Sequence, residues 1–327
     1  MDFKASRRQQ FLSEEYYLSY RTSLERSVEL WKHSIPADET ELSGRAIASS
    51  RAAKKYADLF LLRYTAGERL DQLQRDLAVV VEFYEIAARH LRAYEQDESS
   101  SPLMFSYVEE YERAMQLIGL CFLLHRTELL PRLSALFDGL FAGDDNLYED
   151  LLSCAMDGRY EGDELIHPKP YRHLMDSFNR ESDEESIQDI EKYLKSWYLS
   201  MKSTTWHDGH LNLTARGPGY YGYWAVEAAA VAYLLELDDS TFRDHLVYPK
   251  DLIEFAREMD TAEESTLAIK QDLSGMRVEG GQPCPKAGYW TTPAQQASRR
   301  LFQLGEIMPT FEHSAYGATI WQWSEEQ

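Results

Sequence analysis

Apolar positions recur at helical spacing along most of the chain. Ile47, Ala53, Tyr56, Ala57, Phe60, Leu61 and Tyr64 form one stripe, which predicts a helix over 45–64 that stops at Gly67. Leu70, Leu73, Leu77, Val80, Val81, Tyr84, Ala87, Ala88, Leu91 and Tyr94 keep a spacing of three and four residues and predict a long amphipathic helix. After the break at Ser99-Ser100-Ser101-Pro102, a third stripe runs through Tyr107, Tyr111, Met115, Ile118 and Phe122, and Pro131 marks the start of another helix. With an earlier helix near 11–31, these elements predict an N-terminal antiparallel helical array.

Gly and acidic residues interrupt the pattern from Asp138 to about Ser186, around short helical pieces such as 147–156. Helix is expected again through Ile187, Ile190, Leu194, Trp197 and Met201. A loop holding Gly209, Gly217, Pro218 and Gly219 then leads to an apolar helix over about 223–235. Its Ala228-Ala229-Ala230 run lets neighbouring helices approach closely, which suits a central core position. Two further helices are expected, one opening at Pro249 and one over about 262–273. Beyond Gly275, Pro283, Pro285, Gly288, Pro293, Gly305, Pro309 and Gly317 punctuate short runs such as 318–323, which suit brief strands. The fold expected is mostly α, a two-part antiparallel helical array with a short irregular or β-containing C-terminal extension. Its expected divisions are 1–137, 138–275 (an acidic connector with a second helical domain) and 276–327. No self-similar period supports a regular helical repeat.

Composition changes this picture in one respect. With 44% hydrophobic residues among 327 there is ample material for a core, but the formal net charge is -21. An acidic surface repels phosphate, so no direct nucleic-acid partner is expected, while a basic protein partner is favoured. The basic start, Met1 to Gln10, is not followed by the apolar run of a secretory signal, and the longest nearly apolar stretch, 224–235, is too short to cross a bilayer. Cys121, Cys154 and Cys284 are far apart, which argues against a disulfide framework or a structural zinc site. A cytoplasmic location without membrane contact is the resulting expectation.

Three groups are candidates for chemistry. His207-Asp208-Gly209-His210 places two histidines around a carboxylate, yet Gly209 makes this a loop, and a metal would need further ligands such as His245 or Asp238. Asp238-Asp239-Ser240 reads as the N-cap of a following helix in preference to a cation site. Glu227 lies within an unbroken apolar run, so its carboxylate must be paired, hydrogen-bonded or protonated. A structural network with an Arg, a Lys or the hydroxyls of Tyr220, Tyr221 or Tyr223 is preferred over a general acid or base. There is no Ser elbow, phosphate-cradling Gly loop or H-E-x-x-H motif, and no metal or cofactor is expected.

The negative charge is concentrated. Between Asp138 and Glu191 sixteen acidic residues face four basic ones, and between Glu236 and Glu264 ten face three. Taken alone this charge reads as the solvated surface of an acidic protein in preference to a binding surface, and Asp144, Asp145, Glu149, Asp150, Asp157, Glu161, Asp163 and Glu164 are the carboxylates that a binding surface would use. Asp144 and Asp145 also stand where a helix start is stabilised by negative charge.

Tyr221-Gly222-Tyr223-Trp224-Ala225-Val226-Glu227-Ala228-Ala229-Ala230-Val231, followed by Asp238-Asp239-Ser240 and Tyr248-Pro249-Lys250-Asp251-Leu252, resembles the PoNi family over roughly 191–257. These are immunity proteins for polymorphic nuclease (PoNe) toxins of bacterial antagonism systems, notably type VI secretion. A second stretch resembles an extension seen on several type VI immunity proteins: Cys284, Gly288 to Ala294, Ser298-Arg299-Arg300, Gly305-Glu306, Pro309 and Tyr316 to Trp323. The resemblance implies a non-enzymatic inhibitor that binds a cognate toxin, a DNase, in a 1:1 or 2:2 complex, with the acidic carboxylates standing in for DNA phosphates. Tyr221, Tyr223, Trp224 and Glu227 are then expected mainly in the core, and Asp238, Asp239, Tyr248, Pro249 and Asp251 complete the structural signature. The alternative from another class is a metal-dependent hydrolase using His207, His210 and nearby acids.

Overall fold

The computed structural model describes residues 2–214, 219–274, 276–295, 298–311 and 318–324, the side chains of 263–274 excepted. Gly217, Pro218, Gly275, Tyr316 and Gly317, with the side chains of Glu263 and Glu264, lie outside the described residues. The chain divides into two compact units, residues 1–257 and 258–327.

The first unit is helical. A single turn, α1 (Phe3–Ser6), precedes α2 (Glu14–His33), α3 (Glu41–Thr65), α4 (Leu70–Glu95), α5 (Val108–Leu123) and α6 (Leu130–Phe141). Ser13 and Thr40 cap α2 and α3, each accepting a backbone N–H from three residues on. The chain turns between α3 and α4 at Gly67, whose positive φ of 89° and approach to the Ser6 carbonyl leave no room for a Cβ. In α4 the buried residues are Leu73, Leu77, Val80, Val81, Tyr84, Ala87 and Ala88, members of the predicted stripe, joined by Phe83.

The acidic connector expected from 138 to about 186 carries two helices. α7 (Asn146–Ser153) is shorter than the predicted piece, and a further helix, α8 (Pro168–Asp176), opens at Pro168. Proline in the first turn removes only an N–H that has no intrahelical partner. α9 (Asp183–Ser200) and α10 (Val226–Leu234) follow. Residues Val226 and Ala228 to Ala232 of α10 are completely buried, and on its α5 neighbour a Cβ at Gly119 would lie 3.2 Å from Ala230 Cβ. Helices on both sides of residue 138 therefore share one core.

Where two helices were expected, one is found: α11 (Lys250–Ser274) begins directly after Pro249 and runs on through 262. No Gly or Pro between 250 and 273 interrupts its hydrogen-bond ladder. In the second unit β1 (Arg277–Glu279), β2 (Gly288–Thr291), β3 (Arg300–Phe302) and β4 (Ile320–Trp323) form an antiparallel sheet of order β1-β4-β2-β3. Cys284, Trp290, Phe302, Met308 and Trp321 make its core. Among the described residues no helix is long and apolar enough to cross a membrane.

Candidate functional site

The signature segment is built into the core by residues distant in sequence. Gln9 is buried, and its amide reads the backbone of 220–246 from both sides. Nε2 donates to the carbonyls of Tyr223 (2.7 Å) and Leu246 (2.9 Å), while Oε1 accepts from Tyr223 N (2.9 Å) and the Tyr220 hydroxyl (2.5 Å). Trp224 donates its indole N–H to Thr65 Oγ1 (2.8 Å), Gln116 donates to the Trp224 carbonyl (3.0 Å), and Tyr221 lies under the Arg113 guanidinium. Asp251 binds Arg8 and accepts the Tyr64 hydroxyl (2.5 Å), joining the start of α11 to both the N-terminal segment and α3.

Glu227 is fully buried. Its Oε1 accepts from the Tyr193 hydroxyl (2.5 Å) and the Trp197 indole (3.1 Å), so the hydroxyl comes from α9 and not from Tyr220, Tyr221 or Tyr223. Burial pushes its carboxyl up to about 7. A second buried carboxylate, Glu112 on α5, accepts from Trp206 Nε1 (2.9 Å) and Gln116 Nε2 (2.9 Å), and burial, then the charge of Glu227, hold it well above the ordinary range.

Asp238 and Asp239 do not cap a helix. Asp238 Oδ1 accepts the Ser240 N–H in a turn, and the buried Asp239 receives Arg257 (3.0 Å) and, more loosely, Arg243 (3.5 Å). The expected cap is corrected by this: the next helix begins only at Lys250, and Asp239 serves two guanidinium groups brought to it by tertiary contact. Tyr248 is buried against Phe242.

The two histidines also have protein partners. His210 Nδ1 meets the Tyr223 hydroxyl at 2.7 Å, His207 stacks on Tyr198 with ring centroids 4.3 Å apart, and Asp208 accepts the Tyr198 hydroxyl at 2.6 Å. Among the described residues no group of three or more His, Cys, Asp or Glu side chains is placed to hold a metal ion, so the hydrolase reading finds no further ligand there.

The eight carboxylates of 144–164 separate by environment. Asp145, 1% exposed, caps α7 by accepting Tyr148 N (3.0 Å) and also accepts the Tyr111 hydroxyl (2.8 Å) and Ile166 N (2.9 Å). Glu149, equally buried, pairs with Arg159 (2.7 Å) and accepts Gly143 N (2.8 Å). Arg159 also grips Asp138 with two bonds of 2.9 Å. Asp150 is half-buried, accepts from Asn146 Nδ2 (2.9 Å), and is raised to about 6 by burial. Asp144, Asp157, Glu161, Asp163 and Glu164 are exposed, and Asp163 accepts from Arg172 (2.5 Å). The loop presenting them is held by Arg159, by the Asn146 N–H to Glu164 carbonyl bond (2.8 Å), and by Asp145 on Ile166. Sequence reasoning missed Arg159. Its signal is available: it is the one basic residue between Asp138 and Glu164.

Among solved structures, the crystal structure of protein PA2201 from Pseudomonas aeruginosa is similar to this chain, with a TM-score of 0.63 and 22% identity over 80% of this chain and 93% of that one. At that identity the likeness establishes the fold. None of the curated proteins compared with the chain matches it. The family model described as PoNe immunity proteins (PoNi), C-terminal, matches residues 143–252, a span that holds all eight carboxylates of 144–164 and the helix α10. Over residues 143–252, about a third of its length, the chain is similar to the C-terminal region of the PoNe immunity proteins (PoNi).

Proposed function

We propose that this chain binds and neutralises a cognate nuclease toxin, a DNase, and so protects the cell that produces it. The observation that carries this reading is the family match over 143–252, because that span contains every exposed carboxylate of the 144–164 segment. Those side chains offer a DNA-binding groove the negative charge it is built to receive. In this reading the protein acts as an inhibitor and not as an enzyme, works in the cytoplasm where a DNase finds its substrate, and does not touch nucleic acid itself.

The test is co-purification with the product of the neighbouring gene, which in this reading is a nuclease toxin. The two should elute together, as a 1:1 or 2:2 complex, at micromolar concentration and low salt. Separate elution under those conditions overturns the reading.

A further inference from the structure

Complementary charge speeds encounter, but it attracts any basic domain; discrimination between partners rests on short-range contacts and on groups that penalise the wrong partner. The structure offers such contacts beside the acidic loop. Just after Glu164 the chain turns inward at the buried Leu165 and emerges at His167 and Lys169, which line one side of an open groove of about 570 Å³. Tyr107 and Glu109, at the start of α5, line another side, Ser203 and Thr205 beyond the end of α9 a third, and Lys54 of α3 completes it.

These walls are fixed to one another. Glu109 accepts from Thr205 N (2.7 Å), Thr205 Oγ1 (2.8 Å) and Lys54 Nζ (2.7 Å), and His167 Nε2 meets the Phe105 carbonyl at 2.6 Å. The Lys54 charge is thus matched by Glu109, whereas Lys169 has no ion pair among the described residues. Tyr107 is 65% exposed, with exposed Met104 three residues before it. Tyrosine and methionine are enriched at interface cores, where an exposed ring gains a large contact area at small entropic cost.

Resting on the immunity reading above, we propose that this groove is the specificity-determining part of the toxin-binding surface. Tyr107 anchors a loop of the toxin domain, and that loop bears a carboxylate opposite Lys169. The acidic loop draws a basic domain in, and Lys169, a cation at the edge of an acidic surface, disfavours any basic domain that lacks the matching acid. Position argues for the toxin as occupant: His167, Lys169, Ser203 and Thr205 all fall within the family-matched span, and only a few residues separate the groove wall from Glu164.

The experiment measures association and dissociation rates against the catalytically inactivated nuclease domain of the neighbouring gene's product, the partner named in that reading. Tyr107→Ala and Lys169→Glu should each raise koff about tenfold or more, with kon for Tyr107→Ala and its dependence on salt unchanged. Tyr107→Phe, which keeps the ring, should retain the parental koff. Because Tyr107 is exposed, its variants should melt with the parent, which separates lost contact from lost fold. If the unaltered chain binds and koff in Tyr107→Ala and Lys169→Glu stays within about twofold of it, this inference fails and the immunity reading stands. If the unaltered chain does not bind, both fall.

Discussion

A buried polar side chain is tolerable only with partners, and the partners here explain why the signature residues sit where they do. Gln9 satisfies two carbonyls, a backbone N–H and a tyrosine hydroxyl that would otherwise be stranded around Tyr223. Glu227 has hydrogen-bond donors but, among the described residues, no cation, so burial favours its protonated form and its pKa rises from the usual 4.5 to about 7. A carboxyl whose pKa is raised in the folded state contributes stability in acid that is lost as pH climbs through the folded value. Between pH 5.5 and pH 8 this group alone should therefore lower stability by roughly 2 kcal/mol. Glu227→Gln, which cannot ionise, should flatten that slope, as read by urea unfolding at the two pH values. A variant whose pH profile parallels the parent's would show that Glu227 is not the group responsible.

At the scale of elements, the contact of α5 with α10 depends on small side chains. Gly119 faces Ala230 and Val226 so closely that even a Cβ would stand 3.2 Å from either side chain. Ridges on two helices cannot come this near unless one side lacks bulk, and cores that are already full resist added volume. Gly119→Val should accordingly destabilise the protein by about 2 kcal/mol through overpacking, in spite of the higher helix propensity of valine. A lowered midpoint with an unchanged slope in urea denaturation is the expected outcome; an unchanged midpoint would mean that α10 shifts without cost. The loop after α7 illustrates the opposite case. It has no regular structure from 154 to 166, yet Arg159, Asn146 and Asp145 tie it at three points.

For the whole molecule the decisive property is where charge reaches solvent. Asp145 and Glu149 are engaged within the fold, so the toxin-facing role proposed for the segment falls to Asp144, Asp157, Glu161, Asp163 and Glu164. Neutralising Asp157, Glu161, Asp163 and Glu164 to amides should slow association with the toxin about tenfold at low salt and flatten its salt dependence, with the melting temperature preserved. The same number of neutralised carboxylates at Glu254, Glu258, Glu263 and Glu264 is the comparison. Equal, negligible effects from the two sets would assign this charge to ordinary solvation and leave capture to shape and apolar contact.

The sequence by itself determined what depends on neighbours along the chain. The three-and-four spacing in α4, the turn at Gly67, the apolar helix around Ala228-Ala229-Ala230 and the short strand at 320–323 follow from side-chain period, backbone freedom and local bulk, and all were legible. The PoNi signature was equally legible, because it is a run of residues in order. Tertiary structure alone decided which polar groups in that run are buried and with whom. Asp239 reads as a helix cap until Arg243 and Arg257 are brought to it, and Asp145 and Glu149 look like their exposed neighbours until Tyr111 and Arg159 arrive from other parts of the chain. The groove beside Tyr107 was invisible for the same reason, since its walls come from α3, α5, the start of α8 and the residues beyond the end of α9. Burial and pairing are properties of groups far apart in sequence and close in space, so no local pattern encodes them.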